Sequence, residues 1–517
     1  MSTTTFTPPA SSATAHRTII TACVMAATLM QTLDTTIVNV ALPYIQGSIA
    51  ASPDQITWTL TSYIVAAAIM TPPIGWLASR FGRKNLFLVS LVGFTVASML
   101  CGTAESLPQI VLYRALQGVF GASLVPLSQT TMLDIFPPEQ RAQAMAVWVM
   151  GVVVGPILGP TLGGYLTFYY DWRWVFYINL PLGILAFAGL WFFMDDPERK
   201  EGIGFDWTGF AVLSIALAAL QLFLDRGDIQ DWFGSDEIIT YAVLCCLGFY
   251  LFLVHLLTAR DALIPPRIFR DMNFTAGLGM IFAVGMLILA TSALLAPYLQ
   301  ALSGREVDNA GLLLAPRGAG TMAGVILAGR LANKIDSRLM MFVGILTIAE
   351  TLREMTGWTP DISAWSLTLN SIAQGFGLGI VFTPLQVVAF ATLPPELRTD
   401  GTALFSLLRN IGLAIGVSVT STVLTRTTQI AHAGIATTVT SFNHNLQAGG
   451  AFLYWNPSLP QGLALLNAEV TKQASIIGYL DDFKLLFVVS LMMLPLLLLM
   501  RQPKGALGPP DPGAMGH

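Results

Sequence analysis

Charge is scarce in this sequence of 517 residues: Asp, Glu, Lys and Arg make up 11% of it, against 54% hydrophobic residues. A soluble domain uses about 25% charged residues to cover its surface, so a fold wetted all round is excluded. Cysteine is almost absent. Cys23, Cys101, Cys245 and Cys246 each lie in an apolar run, where they read as small packed hydrophobes and exclude a disulfide or zinc framework. No Gly-Lys dipeptide occurs, so the phosphate loop G-x-x-x-x-G-K-[ST] is missing and ATP hydrolysis is not encoded. The net charge is −4 and no basic run exceeds three residues, which argues against a nucleic-acid partner. The opening stretch MSTTTFTPPASSATAHR lacks a basic start and an A-x-A site, so it is expected to be an arm before a retained membrane segment and not a signal peptide. No metal ligand set and no cofactor motif is found.

What is present is apolar length. The mean hydropathy is +0.66, with 46 Gly and 29 Pro, both commoner in transmembrane helices than in soluble ones. Runs of about 20 apolar residues, enough to cross about 30 Å of hydrocarbon, fall at 19–43, 56–78, 85–104, 108–133, 141–168, 173–194, 207–225, 237–258, 274–301, 310–332, 338–356, 361–392, 398–425 and 482–500. The expectation is an all-α integral membrane protein with fourteen helices. With the N-terminus in the cytosol, most loop Lys and Arg (Arg80, Arg83, Lys84, Arg141, Arg398 and Arg501 among them) fall inside. The positive-inside rule then puts both termini in the cytosol.

The chain also repeats itself. QGVFGASLVPLSQTTMLDIFPPEQR from Gln117 matches QGFGLGIVFTPLQVVAFATLPPELR from Gln374, at an offset of 257 residues. Gly155 then meets Gly412, and Gly159 meets Gly416. GWLASRFGR from Gly75 is echoed by GRLANKIDSR from Gly329. Both copies carry P-P-E-x-R in a loop, so an even number of helices separates them. The arrangement expected is six helices, two, and six, with parallel repeats about an axis along the membrane normal and a substrate site between them. The organisation is then an arm over 1–18, a bundle over 19–194, linker helices in 195–273, a second bundle over 274–500 with a long outer loop at 426–481, and a tail over 501–517.

Four stretches carry the chemistry. GWLASRFGRK (75–84), opening at Gly75, joins the second and third spans; Gly82 serves a tight turn, and Arg80 and Arg83 supply basic contacts to helix ends that hold the cytosolic side shut. LDTTIVNVALP (33–43) puts the carboxylate of Asp34 in an apolar helix, where a charge costs roughly 2.5–3.5 kcal/mol on insertion scales and is functional by default. LYRALQG (112–118) places Arg114 in the fourth span, and the repeat has Ser371 in its place. GVVVGPILGPTLGGY (151–165) sets Gly151, Gly155, Gly159 and Gly163 four apart on one bare face, beside Gly164 and the kinking prolines Pro156 and Pro160.

On these motifs the chain resembles the major facilitator superfamily over essentially its whole length. More narrowly, it resembles the fourteen-span drug:proton antiporters, the EmrB/QacA-like exporters. Ser79 departs from that family's acidic position in the 75–84 motif. The resemblance implies a proton-driven exporter of hydrophobic toxic compounds in a bacterial inner membrane, in which Asp34 and Arg114 couple protons and the 151–165 face lets the two halves pivot. It also implies an EmrA-like periplasmic adaptor and a TolC-like outer-membrane channel; the 426–481 loop is compatible with a docking surface for such a partner and equally with a solvated connector. Gln129 and Gln386 are pseudo-symmetric candidates for substrate contact, with Asn39 beside them. Glu350 is a further candidate carboxylate, although Arg353 three residues on is placed to neutralise it. Asp134 and Asp225, near helix ends, are expected to be solvated. A secondary transporter of one metabolite or fatty acid is the alternative; a membrane enzyme would need a His or carboxylate cluster at one face, which is not found.

Overall fold

The computed structural model describes residues 10–195, 204–259, 262–303, 312–332, 334–439, 455 and 459–501, and every regular element among them is helical. Short turns aside, the helices are α1 (Ala10–Ser48), α2 (Trp58–Met70), α3 (Ile74–Phe81), α4 (Arg83–Gly102), α5 (Leu107–Gly121), α6 (Leu124–Ile135), α7 (Arg141–Tyr169) and α8 (Asn179–Phe193). They continue with α9 (Trp207–Arg226), α10 (Asp236–Thr258), α11 (Met272–Pro297), α12 (Pro316–Leu331), α13 (Ser337–Met355), α14 (Ala364–Ala391), α15 (Arg398–Thr438) and α16 (Pro460–Met492). Among the described residues, eleven helical stretches are long and apolar enough to cross a membrane, and thirteen if two bent pairs each count as one span. One bend, of 60°, separates α2 from α3. α13 stands outside this set because Arg338, Glu350, Glu354 and Arg353 dilute its apolar content.

The repeat is visible as packing. α1 lies along α7 as α11 lies along α15. In each pair glycines make the close approach possible. A Cβ on Gly155 would stand 2.8 Å from the Leu33 amide, one on Gly163 2.9 Å from the Ile37 carbonyl, and one on Gly416 2.7 Å from the Met286 Cα. Gly151 faces Met25 and Gly159 faces Thr36 in the same way, while Gly164 has open space beyond Val40. The bare face of 151–165 is therefore spent on α1, within one bundle. It does not lie between the two halves, because the α1 backbone already fills it.

The 426–481 segment, expected as a loop, is helical over most of its described length. α15 has 41 residues, about 60 Å at 1.5 Å per residue and twice the hydrocarbon thickness. α16 has 33. The two stay paired along this length, with Gly478 against Leu424 and Thr428, and His432 Nε2 3.1 Å from Asn467 Oδ1. The FNHN stretch and residues 456–458 lie outside the described residues, as do 1–9 and 502–517; 10–18, expected as an arm, already belong to α1.

The linker pair α9 and α10 is tied together at its terminus-side end. Asp206 caps α9 by accepting from the Gly209 amide at 2.8 Å, and it accepts from the Leu263 amide at 3.0 Å. His255 Nε2 lies 2.9 Å from the same carboxylate. Burial pushes the Asp206 carboxyl up, but the two amides and His255 outweigh it and hold it below its ordinary value. The carboxylate thus contributes stability above its unfolded pKa of about 3.9 and loses it as pH falls through the lower folded value. Asp206→Ala is expected to lower stability at neutral pH by about 1–2 kcal/mol and to flatten the loss seen below about pH 4, both read from thermal unfolding at the two pH values.

Candidate functional site

Asp34 on α1 and Arg114 on α5 meet. Arg114 Nη1 stands 2.7 Å from Asp34 Oδ2, and the two side chains are 1% and 0% exposed. Their remaining capacity is taken up by neutral groups. Gln117 Nε2 donates to Asp34 Oδ1 at 2.8 Å and Asn179 Nδ2 at 3.4 Å, while Arg114 also donates to Gln117 Oε1 at 2.7 Å and to the Thr59 carbonyl at 3.2 Å. The Tyr63 ring lies under the guanidinium at 4.3 Å. Asn179 extends the network to Ser98 Oγ at 3.0 Å, and Ser98 donates to the Phe176 carbonyl at 2.8 Å. Five helices of one bundle, α1, α2, α4, α5 and α8, thus supply one dry network. A buried pair is tolerated only when its other polar atoms are satisfied in this way.

A second polar layer joins the two halves. Gln129 Nε2 donates to Gln386 Oε1 at 2.5 Å, and the Thr130 and Thr402 hydroxyls are 2.7 Å apart. The two glutamines are repeat mates, so the pseudo-twofold axis passes between them. Both are 1% exposed and are held by each other, so neither lines an open cavity here. At the helix ends below, Asp134 accepts from Arg83 and, at 2.6 Å, from Arg398 of the other half. Asp134 is thus an ion-pair partner and not merely solvated. Gly75 on α3 packs on Asp400, and its repeat mate Gly329 packs on Ala146 near the start of α7. Gly82, at φ 87°, makes the turn from α3 to α4 that presents Arg83, while Arg80 is exposed. The halves are therefore latched at the end where residues 16 and 501 lie, with Asp134 as the acid between Arg83 and Arg398.

The remaining candidates fall elsewhere. Glu350 is exposed on α13 and pairs bidentately with Arg353 at 2.8 and 2.5 Å, away from the Asp34 network. Asn39 is exposed one turn beyond Asp34 toward the far end of α1. Asp225 is exposed at the end of α9, where it accepts from Thr61. Arg317 donates to Ser292 Oγ at 2.7 Å and to the Ile288 carbonyl at 3.4 Å. Gln117, Asn179, Tyr63 and Ser98 were not singled out from the sequence. Gln117 stood inside the 112–118 motif and in the repeat, which was a usable signal; the others had none, since a polar residue in an apolar helix does not say which neighbour it faces.

Comparisons with known proteins agree with this architecture. The model of the Major Facilitator Superfamily matches residues 24–417. The multidrug export protein EmrB of Escherichia coli K12 is 35% identical over 497 residues, covering 95% of this chain and 96% of its own. The fatty acid resistance protein FarB of Neisseria gonorrhoeae is 35% identical over 481 residues, covering 92% and 94%. Among solved structures, the human organic anion transporter MFSD10 superposes with a TM-score of 0.58 at 17% identity, covering 94% of this chain and all of that one.

Two outcomes test the geometry. Arg114→Gln leaves Asp34 buried and unpaired and is expected to cost about 3–5 kcal/mol; adding Asp34→Asn recovers a large part of that, which a double-mutant cycle in thermal unfolding measures. Asp134→Asn loosens the latch. A cysteine placed at buried Gln386 should then react several-fold faster with a thiol reagent than in the parent.

Proposed function

The chain belongs to the Major Facilitator Superfamily and is a transporter and not an enzyme; we propose that it is a proton-coupled exporter of hydrophobic toxic compounds. The observation that carries this is the fully buried Asp34–Arg114 pair with its neutral donors. Arg114 keeps its charge in practice, so Asp34 is the member that can take or lose a proton. A proton on Asp34 Oδ2 removes the charge that Arg114 holds, leaving the guanidinium to Gln117, the Thr59 carbonyl and the Tyr63 ring. That loosens α1 against α5. Because α1 rides on α7, and α7 begins at the contact with Gly329 of the other half, movement of α1 bears on the latch.

In this cycle the latched form opens away from the termini. Release of Asp134, Arg83 and Arg398 would open the other side and free Gln129 and Gln386 to meet substrate, with Asn39 on the exit path. We read the span arrangement as six, two and six, fourteen in all with α13 included, in a bacterial inner membrane with both termini cytosolic. EmrB is named for multidrug export and FarB for fatty acid resistance, which supports lipophilic cargo. The paired extensions of α15 and α16 give an EmrA-like adaptor and a TolC-like channel a structure to engage.

The test is uptake of lipophilic dyes and fatty acids into everted vesicles. Transport should require the proton gradient and fall to background in Asp34→Asn and Arg114→Ala. Wild-type rates in both variants, or uptake that survives collapse of the gradient, would refute the coupling.

A further inference from the structure

A second carboxylate is buried in the other bundle. Asp482 on α16 is 0% exposed, and neither of its oxygens has a hydrogen-bond partner among the described residues. It stands between Tyr479 and Phe483, which both pack their rings on Tyr298 at the end of α11, at 5.4 and 6.1 Å. Trp358, in the connection after α13, completes the cluster at 6.1 Å from Phe483. The Tyr298 hydroxyl and the Trp358 indole N–H are also buried without partners.

Among the described residues, no cation pairs with Asp482. On its own helix, Asp481 and Lys484 are exposed, and the field of Asp481 has the same sign. On α13, Glu350 pairs with Arg353, and Glu354 accepts from Asn370 at 2.7 Å. Arg426 on α15 is exposed. The turn that follows α11 brings the Tyr298 phenol. An isolated carboxylate taken from water into such surroundings does not stay ionised; it neutralises by binding a proton.

We infer that Asp482 is a second proton-binding site, housed in the C-terminal bundle, independent of the Asp34 pair and loaded from the end of the membrane opposite the termini. Trp358 and the outward extension of α16 place it at that end. The bound proton sits on a carboxylate oxygen and comes from bulk water. Its release leaves an unpartnered charge on α16 beside Tyr479 and Phe483. α16 must then shift from α11 and α13 until water or the Tyr298 hydroxyl reaches the carboxylate, so loading this site favours the packed arrangement of the three helices.

Infrared difference spectroscopy on the purified full-length protein tests this directly. Wild type minus Asp482→Asn should show the C=O stretch of a protonated carboxylic acid at neutral pH, and Asp34→Asn should retain that band, so failure of the Asp34 reading is separable. Unfolding supplies the second readout. The unfolded chain sheds this proton above about pH 4 while the folded protein keeps it, so stability falls as pH rises. The thermal midpoint of Asp482→Asn should therefore gain on wild type between about pH 6 and about pH 9. Where Asp482→Asn folds poorly, Asp482→Glu should keep a carboxyl band at a shifted frequency. Absence of the band with parallel pH profiles would overturn the inference.

Discussion

A guanidinium that cannot shed its proton has to be housed somewhere in an apolar bundle, and the N-terminal half is arranged around that requirement. Arg114 is met by one carboxylate, two neutral oxygens and an aromatic face. The carboxylate is met in turn by two amide donors. Removing water makes each of these bonds stronger and each omission costlier. That is why five helices send a polar side chain or a backbone carbonyl to one point. The C-terminal half has the same helix packing without such a buried ion pair. Ser371 occupies the place of Arg114, and Arg317 is content with a hydroxyl and a backbone carbonyl. The two halves share a fold and differ in electrostatics.

That difference explains how far the residues could be read in advance. An ionisable residue in an apolar run is conspicuous, so Asp34 and Arg114 stood out before any neighbour was known. The repeat exposed Gln129 and Gln386 for a different reason: residues related by an internal twofold that survive as the same polar type are candidates for the axis. Facing directions were not legible. The glycines at 151, 155, 159 and 163 mark a close approach, but sequence spacing does not say whether the partner is α1 or the opposite half. Glu350 advertises the same burial cost as Asp34, yet its position on an exposed face of α13 removes it. The 426–481 segment misled because hydropathy detects the membrane and not the helix. α15 and α16 continue as helices after their apolar stretch ends, sustained by pairing with each other.

The layer on the axis has its own logic. A side chain that contacts its own repeat mate must offer both a donor and an acceptor, and the glutamine amide does so; two carboxylates or two guanidiniums would repel. Asp134 departs from the symmetry. Its repeat counterpart is Ala391, so a single acid serves Arg83 and Arg398. The latch therefore rests on three partly exposed groups, 26%, 18% and 10% exposed.

Exposure of that degree sets the energy scale of opening. A hydrogen bond between charged groups at such partial burial contributes about 1.5–3 kcal/mol, and the Gln129–Gln386 and Thr130–Thr402 bonds roughly 0.5–1.5 kcal/mol each. The closed end is thus held by a few kcal/mol. One charge moved through 100 mV is worth about 2.3 kcal/mol, comparable to that hold and smaller than the roughly 3–5 kcal/mol that guards a buried pair once a partner is lost. Under the proposed coupling, a proton arriving at Asp34 would bias such a latch without having to break the bundle that carries it. The proposed alternation needs this separation of scales: a stiff network inside one half, around the buried charges, and a weaker one between the halves.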